Sequence, residues 1–169
     1  AARQSASALA AYPGEAPPDL ASAYAVQDAA IAMWPDKVAG WKVGLIPPDH
    51  RAAYGGERLA GPIFTKQVAR AGASATSLPI IRGGFAAAEA ELVLEVAQEP
   101  PPSKKHWNIH EASAYAGAMY VGVELAGSAF KGINDFGPAI TASDFGNNAG
   151  LVLGRSIANW RDIAFDASP

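Results

Sequence analysis

Two glutamates, two residues apart, interrupt a segment that is otherwise typical of a buried strand. The segment Phe85–Val96, FAAAEAELVLEV, is apolar except for Glu89, Glu91 and Glu95. Because side chains of a strand alternate between its two faces, Glu89 and Glu91 are predicted to point the same way, about 7 Å apart. Two like charges on one face repel each other, so they stay ionised only in water or beside a positive partner. The pair therefore indicates either a solvent-exposed face or a cation site.

A third glutamate lies in a second apolar segment of alternating pattern, MYVGVELAG at residues 119–127. Glu124 shares its predicted face with glycine and alanine, which leave room for a ligand to approach. Mg²⁺ and Mn²⁺ prefer oxygen ligands, typically a few carboxylates with positions left open for water and substrate. Glu89, Glu91 and Glu124 are therefore candidate ligands of one Mg²⁺ or Mn²⁺ ion. Such an ion would also remove the repulsion between them.

Simpler interpretations of these glutamates remain open at this point. The E-x-E pattern alone is more often the solvent face of an antiparallel strand, and Glu95 is assigned to that face. Glu124 could equally be an exposed strand residue or an ion-pair partner of Lys131. The pattern of acids therefore needs support from other parts of the sequence.

Composition narrows the class of protein. Of the 169 residues, 50% are hydrophobic and 17% are charged, which favours a folded domain over disorder. The net charge of −3 and the absence of a basic cluster larger than Lys104–Lys105 argue against a nucleic-acid partner. Without cysteine, disulfides and thiolate metal sites are excluded. No apolar run approaches the roughly 20 residues that span a bilayer, so we expect no membrane partner. The lack of cysteine is compatible with the cytoplasmic location that we expect.

The remaining pattern predicts one α+β domain over residues 1–169, with a helical part at 1–37 and a β-rich catalytic part at 38–169. Asp19 is predicted to cap a helix that ends before Pro35, and Asn108 or Ser113 to begin another. We also expect a helix at 1–11. Strands are predicted at 38–46, 61–64, 85–96, 119–127 and 151–154, a strand followed by a turn within 75–84, and strand character again near Trp160.

Several stretches occur together in the order seen in one enzyme family. They are AYAVQDA (23–29), GWKVGL (40–45), GPIF (61–64) and AEAELVLEV (88–96), followed by VGVELAGS and ASDFGNNAGLVLG. From about Leu20 to Gly154 the chain resembles 2-keto-4-pentenoate hydratases, which belong to the fumarylacetoacetate hydrolase superfamily. The resemblance implies a mixed β-sheet roll or barrel-like core, as in the C-terminal domain of fumarylacetoacetate hydrolase, with N-terminal helices.

The resemblance also implies an activity and its residues. Glu89, Glu91 and Glu124 would bind Mg²⁺ or Mn²⁺, and Lys42 of GWKVGL would face a small 2-oxo acid substrate. In such hydratases a 2-hydroxydienoate is ketonised and hydrated to a 4-hydroxy-2-oxo acid, and the cation stabilises the enolate as a Lewis acid. Lys42 would balance the substrate carboxylate or move a proton. Ser128 and Asn147, in the two later motifs, are the expected substrate contacts.

Departures from the family pattern leave the reaction open. The chain has Leu59-Ala60 where family members commonly carry an acid, and Gly127 and Ala129 where they often carry an acid and an arginine. Asn147 stands where a serine is used. Decarboxylation of a 2-oxo-enedioate, C–C hydrolysis of an acylpyruvate, and an inactive scaffold subunit of the same fold are therefore alternatives to hydration.

Length suggests a further expectation. Family members usually continue well beyond the strand that contains Gly154, so the chain is expected to be truncated at its C-terminus relative to them. A sheet shortened in this way has exposed edges, which proteins commonly cover with another chain. We therefore expect a homo-oligomer.

Overall fold

Two β-sheets form the framework of the protein, whose computed structural model describes residues 2–164. The first sheet pairs two strands antiparallel, and the second contains four strands in the order β3-β6-β5-β4. In the second sheet β3 runs parallel to β6, and the other neighbours are antiparallel. The strands are β1 (Val38–Leu45), β2 (Arg58–Phe64), β3 (Val68–Arg70), β4 (Phe85–Val96), β5 (Ala116–Ser128) and β6 (Asn148–Ser156).

Short helices connect and cover these strands. As predicted, Asp19 caps the first helix by accepting a hydrogen bond from the backbone N–H of Ser22. Asn108 begins the third helix with a reciprocal capping box that includes Glu111. The α-helices are α1 (Leu20–Ala32), α2 (Pro48–Tyr54), α3 (Ile109–Ser113) and α4 (Pro138–Ser143), with 3₁₀ turns at Thr65–Gln67, Ile133–Asp135, Phe145–Asn147 and Trp160–Asp162. None of the helices within residues 2–164 is long and apolar enough to cross a membrane.

The predicted helix at 1–11 is wrong for the described residues 2–11, which form turns and a single bridge to Phe130. The bridge is closed by the N–H of Leu9, which donates to the carbonyl of Ala129 at 2.7 Å. The alanine-rich composition favours a helix locally, but contacts with distant parts of the chain outweigh that preference. Of the predicted N-terminal helices, α1 is therefore present.

Within 75–84 the predicted strand is irregular while the predicted turn is present at residues 82–84, and Trp160–Asp162 is a 3₁₀ turn rather than a strand. Pro79 cannot donate a ladder hydrogen bond. At Gly84 a side chain would lie 2.2 Å from the carbonyl oxygen of Ser128, so the chain passes too close to β5 to carry one. Trp160 instead donates its indole N–H to the carbonyl of Gly117 at 3.0 Å.

Side chains of helix α1 form hydrogen bonds with both the two-stranded sheet and α4. The amide of Gln27, which is 1% exposed, donates to the carbonyls of Ala60 and Ala142 at 3.0 and 2.6 Å. The hydroxyl of Tyr24 accepts from the N–H of Ala60 at 2.9 Å. Both residues belong to the AYAVQDA stretch, which therefore fixes the position of β2. A core cluster of Ala23, Ile46, Leu59, Ala139 and Ala142 packs around these bonds.

Candidate metal centre

The antiparallel register of β4 and β5 brings the predicted acids together. Glu89 lies opposite Glu124, and Glu91 lies opposite Gly122. One carboxylate oxygen from each of Glu89, Glu91 and Glu124 lies within 4.8 Å of the other two. Glu89 and Glu91 are exposed, whereas Glu124 is buried. In the part of the chain from residue 2 to 164, this is the one group of three or more acidic or histidine side chains near enough to share an ion.

The donor set fits a hard divalent cation. It offers oxygen atoms only, and its three carboxylates carry enough negative charge to compensate a dication. The two exposed carboxylates leave the group open on one side, where water or a substrate would complete the coordination. The donor set therefore agrees with a hard divalent cation, while the ligand role of each glutamate and the identity of the ion stay predictions.

Lys42 reaches this group from the other sheet. Its Nζ atom lies 3.2 Å from Oε1 of Glu124, and the two side chains are 13% and 4% exposed. The cationic partner of Glu124 is therefore Lys42 rather than Lys131, the partner considered in the simpler interpretation. A buried carboxylate needs such a partner because its charge is poorly solvated.

Two glycines allow Lys42 to come this close. Gly61 pairs with Lys42 in the β1–β2 hairpin, and a side chain at Gly61 would lie 2.1 Å from the carbonyl oxygen of Phe145. Gly146 has φ 62°, and a Cβ atom there would lie 3.0 Å from Cδ of Lys42. The hairpin and the loop after α4 thus touch backbone to backbone. Gly61 belongs to the GPIF stretch and Gly146 to the ASDFGNNAG stretch, so both stretches contribute to this contact.

An arginine near the N-terminus anchors the same loop. Arg3 pairs with the carboxylate of Asp144 and donates to the carbonyls of Asn148 and Gly127 at 2.9 and 2.7 Å. It also donates to the carbonyl of Asp144 itself at 3.0 Å. Sequence analysis missed this role because it assigned Arg3 to a helix.

The two predicted substrate contacts lie on either side of this anchored loop. The hydroxyl of Ser128 donates to Asp144 and accepts from the N–H of Phe130 at 2.9 Å. Asn147 is buried, has φ 63°, and donates to Asn134 at 3.4 Å. Ser128 thus supports the loop through hydrogen bonds within the chain. Substrate contact by Ser128 or Asn147 stays a prediction.

Asn148 is a neighbour of the acidic group that the sequence did not single out. It is 1% exposed, and its Nδ2 donates to Oε1 of Glu124 at 3.0 Å. No spacing distinguishes it from Asn147, so the sequence offered no signal for this contact. The Oδ1 atoms of both asparagines are buried and have no hydrogen-bond partner among the described residues.

The departures from the family pattern fit the local packing. Leu59 is 5% exposed and belongs to the core cluster beside Ala23 and Ile46. A side chain at Gly127 would lie 2.7 Å from Cβ of Ala149. An acid at position 59 would place a charge in an apolar cluster, and one at position 127 would require Ala149 to shift, so Leu59 and Gly127 are consistent with how this chain packs.

The carboxyl of Glu91 has an unusual environment for an exposed strand residue. Burial raises the pKa of Glu91 above its ordinary value of 4.5, and the negative charge of Glu124 raises that pKa further. Lys42 opposes these effects, and Glu89 adds a smaller increase. Without a cation, the folded protein therefore holds the Glu91 proton more tightly than the unfolded chain does.

This raised pKa predicts how the stability of the metal-free protein depends on pH. The contribution of Glu91 to stability is full below 4.5, its ordinary pKa, and is lost as the pH rises through the higher folded-state value. Urea unfolding in EDTA should therefore give wild type a free energy of unfolding that falls with pH across this range relative to that of Glu91→Gln, which cannot ionise. A difference between the two proteins that did not change with pH would contradict the assignment to Glu91.

Comparison with known proteins identifies the fold. No family model matches the sequence, and no curated protein sequence matches it significantly. Among solved structures, 4-oxalocrotonate decarboxylase from Pseudomonas putida G7 matches in two forms. The form complexed with magnesium and adipate has a TM-score of 0.63 and 18% identity, over 92% of this chain and 59% of that one. The form complexed with calcium and acetate has a TM-score of 0.58 and 20% identity, over 81% and 51%.

These similarities show the fold and confirm the predicted α+β class. The chain spans between half and three fifths of the length of the matched decarboxylase chains. The observed sheets are therefore the part of that fold which this sequence contains.

Proposed function

We propose that this protein is a divalent-metal-dependent lyase of the fumarylacetoacetate hydrolase superfamily that acts on small, enolisable 2-oxo acids. The observation that carries the proposal is the meeting of Glu89, Glu91 and Glu124 with Lys42 at one place between the two sheets. The proposed ion is Mg²⁺ or Mn²⁺, held by the three glutamates. Magnesium in the matched decarboxylase structure adds support for a cation of this kind.

A bound dication would supply Lewis acidity toward the 2-oxo group of a substrate. The chain's own residues have separate tasks in the proposal. Glu89 and Glu91 lie on the exposed side of the group. They would hold the cation so that its open positions face solvent, from which the 2-oxo acid substrate enters. Lys42 is the proposed catalytic residue: its ammonium group at Nζ attracts the substrate carboxylate and holds or donates a proton during the reaction.

Hydration of a 2-hydroxydienoate to a 4-hydroxy-2-oxo acid is the reaction we place first, because the motifs resemble those of 2-keto-4-pentenoate hydratases. Decarboxylation of a 2-oxo-enedioate is the second candidate. It is favoured by the structural similarity to 4-oxalocrotonate decarboxylase. Both substrates carry a carboxylate next to a 2-oxo group or to its enol form, so both make the same demand on Lys42 and the three glutamates.

Turnover by the full chain with Mn²⁺ tests the proposal and separates its alternatives. We expect 2-hydroxypenta-2,4-dienoate to lose its ultraviolet absorbance and gain one water by mass spectrometry. Release of CO₂ from a 2-oxo-enedioate, without hydration of the dienoate, would identify the decarboxylase instead. Cleavage of an acylpyruvate alone would indicate C–C hydrolysis. Mn²⁺ binding without turnover of any of these would identify an inactive scaffold subunit and overturn the proposal.

We also propose that the protein works as a homo-oligomer in the cytoplasm. The support is a row of apolar side chains on the four-stranded sheet, on the face opposite the glutamates. Leu92, Leu94, Val121 and Val123 are between 42 and 51% exposed there, and a group of exposed apolar side chains is a candidate interface with another chain. Light scattering that gave the single-chain mass of 17.4 kDa at working concentration would contradict the oligomer.

A further inference from the structure

An ammonium group, through an ion pair, and an amide N–H group, through a hydrogen bond, converge on one oxygen atom of Glu124. Nζ of Lys42 lies 3.2 Å from Oε1, and Nδ2 of Asn148 donates to the same oxygen at 3.0 Å. The two groups belong to different strands, since Lys42 is in β1 and Asn148 begins β6. The orientation of this carboxylate is therefore held by two elements besides its own strand.

Burial strengthens the effect of these two contacts on the orientation of the Glu124 carboxylate. The side chain of Glu124 is 4% exposed, and Asn148 is 1% exposed. Water cannot easily replace either donor at such a position, so loss of one would leave the oxygen short of a partner. Asn148 is fixed in turn, because its carbonyl accepts from Arg3 and its amide also lies 3.4 Å from the carbonyl of Gly150.

We propose that Asn148 is a positioning residue for the metal centre: it holds Oε1 of Glu124 so that Oε2 is the oxygen presented to the cation. This inference rests on the proposed function, since it assumes that Glu124 is a ligand. Asn148 itself does not touch the cation. It acts through Glu124, as residues that hydrogen-bond to metal ligands commonly do.

The direction of the amide supports this assignment over a direct ligand role. The group that faces Glu124 is Nδ2, a donor, whereas a metal ligand would have to be Oδ1. The opposite orientation of the amide would place Oδ1 against a carboxylate oxygen, and two acceptors repel. Oδ1 is buried and has no hydrogen-bond partner within residues 2–164. Burying this unpaired oxygen is unfavourable, whereas the amide N–H of the same side chain contacts Glu124.

Binding of Mn²⁺ alone, measured by electron paramagnetic resonance on the full chain without substrate, tests the inference. Asn148→Leu removes the donor while keeping a side chain of similar size. We expect about a 10-fold weaker Mn²⁺ affinity, at the low end of the effect of residues that support metal ligands. The same substitution in a Glu124→Ala background should change affinity less than twofold, because the group through which Asn148 acts is gone.

The double-variant comparison separates positioning through Glu124 from direct binding of the cation and from support of the fold alone. An equal loss in both backgrounds would overturn the inference, because it would mean that Asn148 binds the cation directly or only supports the fold. Unchanged affinity in Asn148→Leu would overturn it as well. If the wild-type chain bound no Mn²⁺, the proposed function would fail first, which is a distinguishable result.

Two further variants distinguish the effect of Asn148 on Glu124 from a general loss of folding. Gln27→Ala removes another buried amide, which bonds to Ala60 and Ala142 and not to Glu124, and should leave Mn²⁺ affinity within twofold. Should Asn148→Leu fail to fold, Asn148→Ala is measured in its place, with Gln27→Ala as its matched control. Equal losses in the two alanine variants would overturn the inference.

Discussion

Glu91→Gln is expected to lower the affinity of the protein for Mn²⁺ by more than about 100-fold. Loss of a residue that only hydrogen-bonds to a metal ligand already lowers metal affinity by about 10- to 100-fold, and Glu91 is a proposed ligand itself. The change keeps the size of the side chain but removes its negative charge. Glu91 has a carboxylate oxygen within 4.8 Å of those of Glu89 and Glu124, so the remaining pair would have to hold the ion alone. Isothermal titration with Mn²⁺ measures the affinity directly.

Glu95→Gln is the matched control for this experiment. Glu95 is in the same strand as Glu91 and is exposed, but its carboxylate accepts a hydrogen bond from Tyr120 at 2.8 Å instead of joining the acidic group. Its substitution should leave Mn²⁺ affinity within about twofold, because surface changes away from a site have small effects. Equal affinities in wild type and Glu91→Gln would remove Glu91 from the ligand set.

The acidic group could be predicted because its geometry depends on local rules. Strand alternation alone places Glu89 and Glu91 on one face. The position of Glu124 required one more assumption, that the second apolar strand pairs with the first. The family resemblance supplied this assumption, and the observed register of Glu89 opposite Glu124 agrees with it.

The contacts that position the group could not be predicted in the same way. Arg3 lies 141 residues from Asp144 in the sequence, and its alanine-rich surroundings favour a helix that does not form. Asn148 has the same residue type as its neighbour Asn147, and only the backbone path of the loop decides which of them faces Glu124. Such contacts depend on the tertiary arrangement and leave no periodic pattern in the sequence.

Lys42 could be predicted only in part. Its motif indicated a functional residue, but the sequence did not reveal that it would pair with a buried glutamate across two sheets. In the absence of a cation, Lys42 compensates the charge of Glu124, so the same side chain supports the fold and the proposed chemistry. Removal of one partner from a buried ion pair leaves the other uncompensated, which typically costs about 3–5 kcal/mol.

Lys42→Met should therefore have two effects that differ in their dependence on metal. On the proposed function, turnover should fall by about 100- to 10,000-fold, the usual contribution of a group that transfers a proton. The metal-free protein should lose about 3–5 kcal/mol of stability, because Glu124 stays buried without its partner. Mn²⁺ should restore much of that stability by supplying the missing positive charge, and its affinity should not fall, since a repelling cation has been removed.

Thermal unfolding with and without Mn²⁺, alongside the turnover assay, measures these effects together. Lys66→Met serves as control, because Lys66 is exposed and its ammonium group contacts only the carbonyl of Pro35, at 3.4 Å, among the described hydrogen bonds. It should change neither stability nor turnover appreciably. A Lys42→Met protein that kept full turnover would refute the catalytic role. One that lost Mn²⁺ binding would instead mean that Lys42 acts by holding the ligands in place, because loss of a nearby positive charge should favour a bound dication.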